Sequence, residues 1–171
     1  MGKDTKRIRM FGGNDFQLKI GSTWTNVGHL IKGVIRDVTE SSKVTLTDAT
    51  QVTVDGAREA SLIATLGQSS KEEMEYVDDL GGKEFEAYYY NGIIDGKHQE
   101  IYIKALKIVP KMELEIPGSP MSIVLEGGMQ PQAANVSVTP DTGLPSGKFA
   151  TGASPVTGKN KMYMILETTV A

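Results

Sequence analysis

The chain has 171 residues, 39% of them hydrophobic and 23% charged, with a formal net charge of −3. That length suits one domain with a substantial core, and aromatics at 6% leave the core to Ile, Leu, Val, Met and Ala. The acidic balance argues against a sequence-independent grip on nucleic acid, the lack of cysteine excludes disulfides and thiolate chemistry, and no apolar run approaches membrane-spanning length.

Met1-Gly2-Lys3-Asp4 leads into no signal-peptide core, so the chain is expected to fold in a cytoplasm. Residues 1–10 form a polar arm with Lys3, Lys6, Arg7 and Arg9 against Asp4. It reads as a frayed terminus or a docking arm. The pattern after Phe11 predicts a strand at 17–20, a turn, and extended chain over 25–36. Residues 37–56 are rich in Thr, Ser and Asp, with Val44, Leu46, Val52 and Val54 alternating against polar neighbours. This predicts a hairpin projecting from the body, with Asp48, Ala49 and Thr50 near its tip. Asp55-Gly56 is expected to turn the chain back towards the body.

Residues 58–109 are the organising unit. Ala60, Leu62, Ala64 and Leu66 alternate with Ser61, Ile63 and Thr65, the period of a strand with one face inward. Ser70 and Glu73 form a capping box, Met74, Val77 and Leu80 share a helical face, and Gly81-Gly82 stops the helix. Asp78 and Asp79 sit at the negative end of that helix, where carboxylates are unfavourable unless something outside it uses them. Asp95-Gly96 predicts a tight hairpin between two extended runs, 85–94 and 97–109.

Pro110 is expected to open a new element. Met112, Leu114 and Ile116 alternate with Glu113 and Glu115, Pro117-Gly118-Ser119-Pro120 turns the chain, and Met121, Ile123 and Leu125 mark the partner strand. Residues 127–160 are dominated by Gly, Pro, Ser, Thr and Ala. A structureless loop of that length is unusual in a compact domain, so it is expected either to move or to lie along something, such as another subunit. Residues 161–169 predict a last strand. About nine to eleven strands and one helix indicate a mainly β chain, a β-sandwich or partly open barrel with one flanking α-helix.

No catalytic constellation emerges. His29 and His98 lack a second ligand at metal-site spacing. Gly147-Lys148 and Gly158-Lys159 lack the leading glycine and the following Ser or Thr of a phosphate loop. Asp78 and Asp79 are adjacent on a helix and point apart. Tyr88 and Tyr90 share a strand face and could offer a stacking platform for a sugar, although a half-buried strand is the plainer reading. Trp24 reads equally as core or as an interface anchor. Shape and self-association remain.

The order of pieces is itself informative. Gly21-Ser22-Thr23-Trp24-Thr25-Asn26-Val27-Gly28 leads to a polar hairpin, then Asp55-Gly56, the strand 58–66, Gln68-Ser69-Ser70 opening one short acidic helix, a hairpin, 110–117 and 122–127. This resembles the tail tube (major tail) proteins of long-tailed bacteriophages over residues 11–130. The resemblance implies a β-sandwich whose subunits form hexameric rings, their inner sheets joining around a lumen. Stacked rings then make the virion tail conduit for double-stranded DNA, with tape-measure, tail-tip and terminator proteins as further partners and no cofactor, metal or enzymatic activity. Tubes of contractile tails and of type VI secretion share that fold. On this view Glu113 and Glu115 are lumen candidates. Val44, Leu46, Asp48, Thr50 and Val52 are ring-stacking candidates, and Arg7, Arg9, Trp24, Asp78 and Asp79 are arm or interface candidates. A carbohydrate-binding β-sandwich using Tyr88, Tyr90 or Trp24 is the alternative.

Overall fold

A computed structural model describes residues 16–27, 29–67, 71–113, 122–145 and 155–170. In chain order they form β1 (Phe16–Ile20), β2 (Thr23–Asn26), β3 (His29–Thr45), β4 (Gln51–Gly67), α1 (Lys71–Asp79), β5 (Glu84–Ile94), β6 (Lys97–Glu113), β7 (Ser122–Met129), β8 (Ser137–Val138), α2 (Pro140–Gly143), β9 (Val156–Thr157) and β10 (Tyr163–Thr169). With 67% of the described residues in strands, the expected mainly β fold holds, and its main sheet is antiparallel and open.

That sheet runs β2-β1-β5-β6-β7-β4-β3, with β10 branching from β6. The branch point is β6. Along one edge it pairs with β5. Along the other it pairs first with β10, over Lys97 to Ile103, and then with β7, over Leu106 to Glu113. Between these partners β6 carries an extra residue: Ile103 faces Ala87 while Leu106 faces Phe85. The bulge switches the inward positions from Ile101 and Ile103 to Leu106 and Ile108, all buried, and bends the strand.

The two halves of the bent sheet fold onto each other. Tyr89 of β5 lies against Gly33 of β3, where an added Cβ would stand 2.6 Å from the tyrosine ring. Phe16, Leu18, Leu62, Leu66, Ile103, Ile108 and Leu125 fill the space between, α1 adds Val77, and the turn after it adds Leu80. In β4, Ala60, Leu62, Ala64 and Leu66 are buried as the alternation predicts. Asp95 (φ 54) and Gly96 (φ 72) join β5 to β6, the left-handed pair that a two-residue hairpin needs. Gly82 (φ 76) follows α1, its N–H donating to the Ile108 carbonyl at 2.9 Å. Ser70, and with it the capping box, lies outside the described residues.

Three expectations are corrected. Asp55-Gly56 does not turn the chain but sits within β4, at a bulge. The extended chain over 25–36 is split between β2 and β3. Pro110 opens nothing and lies within β6, paired with Leu125. The Ile108 N–H points to the β5 side, donating to Lys83 at 3.0 Å. Two residues on, the nitrogen of Pro110 faces the same side, beyond the start of β5, so no ladder bond is lost.

The opposite face of β5, the first half of β6 and β10 carries a second core of Tyr88, Tyr90, Tyr102, Met164 and Leu166, closed by Val136, Val138 and Leu144. The described part of the Gly- and Pro-rich segment therefore lies along its own sheet. Val136 N–H bonds to Asn160 at 2.7 Å and Gln132 N–H to Lys161 at 2.8 Å, while β8 pairs with β9. Few apolar residues suffice because the tyrosines supply the bulk.

Candidate assembly surfaces

The β3–β4 hairpin leaves the body and does not return to it. Every residue from 38 to 59 is exposed, an arm of about 25 Å at strand rise. Val44 pairs with Val52 and Ser42 with Val54, so the three valines share one face. Leu46, two residues beyond Val44, extends it, its N–H bonded to the Thr50 carbonyl at 2.8 Å. These four are 40–47% exposed. At the tip, Ala49 takes a left-handed φ of 66°, which suits glycine or asparagine better. The Thr50 N–H donates to the Asp48 carboxylate at 2.9 Å, which holds that carboxyl below its usual range.

A bulge separates arm from root. Thr39 faces Arg58 but Ser41 faces Asp55, so β4 carries the extra residue, and a Cβ on Gly56 would meet the Glu40 carbonyl oxygen at 3.1 Å. The root is tied by side chains. Arg58 Nε donates to Asp37 Oδ1 at 2.7 Å, its terminal nitrogen bonds the other oxygen, and Tyr163 donates its hydroxyl there at 2.6 Å. The Arg58 bonds hold the Asp37 carboxyl below its usual range, while burial, and then Asp37 itself, push the Tyr163 hydroxyl up. A depressed carboxylate stabilises the fold above its unfolded pKa and loses that contribution as pH falls through the lower folded value. The root should therefore loosen below about pH 4, by about 1 kcal/mol at most because Arg58 is exposed. Asp37→Asn should abolish this acid-side step in the pH profile of thermal unfolding. An unchanged profile refutes the assignment.

Beside the root, no described residue covers the outer face of β6, β7, β4 and β3, which is bare in that sense. The register aligns its residues in rows across four strands: Lys107, Gly128, Ser61, Arg36; then Val109, Glu126, Ile63, Val34; then Lys111, Val124, Thr65, Lys32. None is buried, and Val109 is 51% exposed. Lys111 pairs with Glu126, and Glu84 lies opposite Lys107. Glu113 occupies the next register position on β6, opposite Ser122, and its side chain, like all of Glu115, lies outside the described residues. Among the described residues the sheet edges are open as well: β2 and β3 end the strand order.

On α1, Glu72, Glu75, Tyr76 and Asp79 recur at helical spacing and are exposed, as is Asp78. The last turn carries no basic residue. Arg7 and Arg9 lie outside the described residues. Trp24 is half-buried, edge-on to Tyr88 at 6.3 Å with Lys19 Nζ 5.8 Å from its ring. The two tyrosines are not available as a sugar platform: Tyr88 is 0% and Tyr90 7% exposed. Their hydroxyls are engaged inside, Tyr88 donating to Glu100 at 2.7 Å and Tyr90 bonded to His98 at 2.8 Å. Among the described residues no cluster of His, Cys, Asp and Glu could hold a metal ion. Sequence reasoning placed Val54 on the hairpin without counting it among the stacking candidates, and missed the Asp37–Arg58–Tyr163 root and the bare face. Only Val54 was legible, by its alternation with Val52.

No protein-family model and no curated protein matches the chain. Among solved structures it resembles a chain in the virion of a native gene transfer agent particle, with 17% identity, a TM-score of 0.46, and coverage of 68% of this chain and 92% of that one. A chain in the tail of an empty gene transfer agent particle, refined with C6 symmetry, gives 15% identity, a TM-score of 0.44 and the same coverage. At such scores the likeness fixes neither family nor function.

Proposed function

We propose that the chain is the structural subunit of a phage-type tail tube, a virion protein that assembles into stacked hexameric rings around a conduit for double-stranded DNA. The observation that carries this reading is the arm: a hairpin with an apolar stripe that its own subunit leaves exposed. A long exposed hairpin with open strand edges is a template for pairing with other chains. A head-to-tail contact whose rotation closes gives a ring, and end-on contacts propagate a filament. Open edges at β2 and β3 suit the first, and the arm suits the second.

In this arrangement the arm stripe, with Asp48 and Thr50 at its tip, bridges successive rings. The bare face lines the lumen, with Glu113 and Glu115 further along the same stretch of chain. The basic residues Arg7 and Arg9 meet Asp78 and Asp79 of a neighbour. Charge reversal at Arg7 and Arg9 should then weaken assembly several-fold at low salt and little at high salt; equal assembly of variant and parent at low salt removes that contact. Tape-measure, tail-tip and terminator proteins are the expected partners, and the tube of a secretion or injection system is the nearest variant of the same reading.

Negative-stain microscopy of the concentrated protein, alone and with a tail-tip initiator, tests the proposal. Rings or hollow tubes are expected. Monomers under both conditions refute it.

A further inference from the structure

The bare face has a charge arrangement that its residues reveal only in register. Its four cations stand at the corners of the rows: Lys107 and Arg36 at the ends of the first, Lys111 and Lys32 at the ends of the third. Three strand spacings and two pleat repeats put these corners about 14 Å apart each way. Taken alone, such a frame is a phosphate-binding surface, because fixed cations on a flat face displace the counterions of a duplex. Three carboxylates interrupt it. Glu126 lies in the middle row and pairs with Lys111. Glu84 is the cross-strand neighbour of Lys107. Glu59, opposite Val38, occupies the row before Ser61 and Arg36. Only Lys32 has no carboxylate beside it among these positions.

We propose that this face is the surface presented to a duplex polyanion, and that Glu59, Glu84 and Glu126 are its counter-charges, lowering phosphate affinity so that the duplex passes without being held. This rests on the reading of the chain as a conduit subunit. The apolar middle, Ile63, Val34, Val109 and Val124, offers phosphates no hydrogen bond. Each carboxylate also leaves its cation with less attraction to spend on a third group, since the potential of a close pair decays faster than that of a lone charge. A wall of unopposed cations would retain the duplex. A strongly acidic wall would give up the corner lysines and arginine, which the sequence keeps.

The test uses the full chain, unassembled and as tubes, with a fluorescein-labelled 30-base-pair duplex as the probe. Glu59→Gln/Glu84→Gln/Glu126→Gln should gain at least tenfold in duplex affinity at about 50 mM salt. The logarithm of its affinity should fall with the logarithm of salt at a slope near −3 to −4, as four cations require. The parent chain should show no binding under the same conditions. A control with the same change in net charge elsewhere, Glu72→Gln/Glu75→Gln/Asp141→Asn, should behave as the parent. Adding Lys107→Ala and Lys111→Ala to the first variant should reverse its gain. The inference is overturned by a parent that holds the duplex, by a triple variant that stays inert with an unchanged circular dichroism spectrum, or by a control that gains equally. Rings seen by microscopy with an inert triple variant refute this inference alone, whereas monomers throughout refute the conduit reading.

Discussion

Replacing Val44, Leu46, Val52 and Val54 by serine should leave a folded, soluble subunit that no longer stacks. These side chains are 40–47% exposed on an arm whose residues 38 to 59 are all exposed, so their loss costs the fold little. In a stacked tube they would be covered. Full burial of a Val or Leu side chain is worth roughly 1.5–3 kcal/mol, and these begin about half-covered, so each gains about 1 kcal/mol. Four per arm give about 4 kcal/mol, roughly a thousandfold in the equilibrium constant of the contact. Sedimentation velocity should show the variant stopping at monomers or single rings where the parent elongates. Excising residues 44–52 should act likewise. Tubes of normal length from either variant would refute the role of the arm.

The second large effect is expected at Gly33. A Cβ there would stand 2.6 Å from Tyr89 Cε2 and 2.7 Å from Cζ and the hydroxyl oxygen. Tyr89 is 2% exposed and belongs to the main core, so a shift of its ring disturbs its buried neighbours. Gly33→Ala should destabilise the chain by about 2–3 kcal/mol in urea unfolding, near the top of the range for overpacking. Gly33→Val should do more. Tyr89→Leu removes the colliding atoms at its own cost. The double variant Gly33→Ala/Tyr89→Leu should therefore be more stable than the sum of the two single effects predicts, with a coupling above 1 kcal/mol. Additive effects would mean that β3 and β5 do not face each other across the core.

These experiments separate two kinds of information. The strand of residues 58–66, the turn at Asp95-Gly96 and the arm at 37–56 were legible because each is specified locally. A period of two, a left-handed pair of residues, or a run of Thr and Val needs no distant partner to express itself. The failures share the opposite cause. Asp55-Gly56 and Pro110 look like breaks to any local reading, yet both are accommodated inside long strands: the glycine at a bulge opposite Glu40, the proline past the start of β5, its ring beside Gly81. Residues 130–145 look like loop because bulky side chains are few. They fold over Tyr88 and Tyr102, which lie more than 25 residues earlier in the chain.

By itself, then, the amino-acid sequence determined a mainly β chain, one short acidic helix, a projecting apolar-striped hairpin and no evident catalytic group. Only the tertiary structure decided that the tyrosine face is closed, that Asp37 meets Tyr163 from 126 positions away, and that four cations and three carboxylates lie together on one bare face. The reason is physical. Alternation states which side of a strand a residue takes, but which neighbours share that side depends on register, and register is set by contacts between strands far apart in the chain.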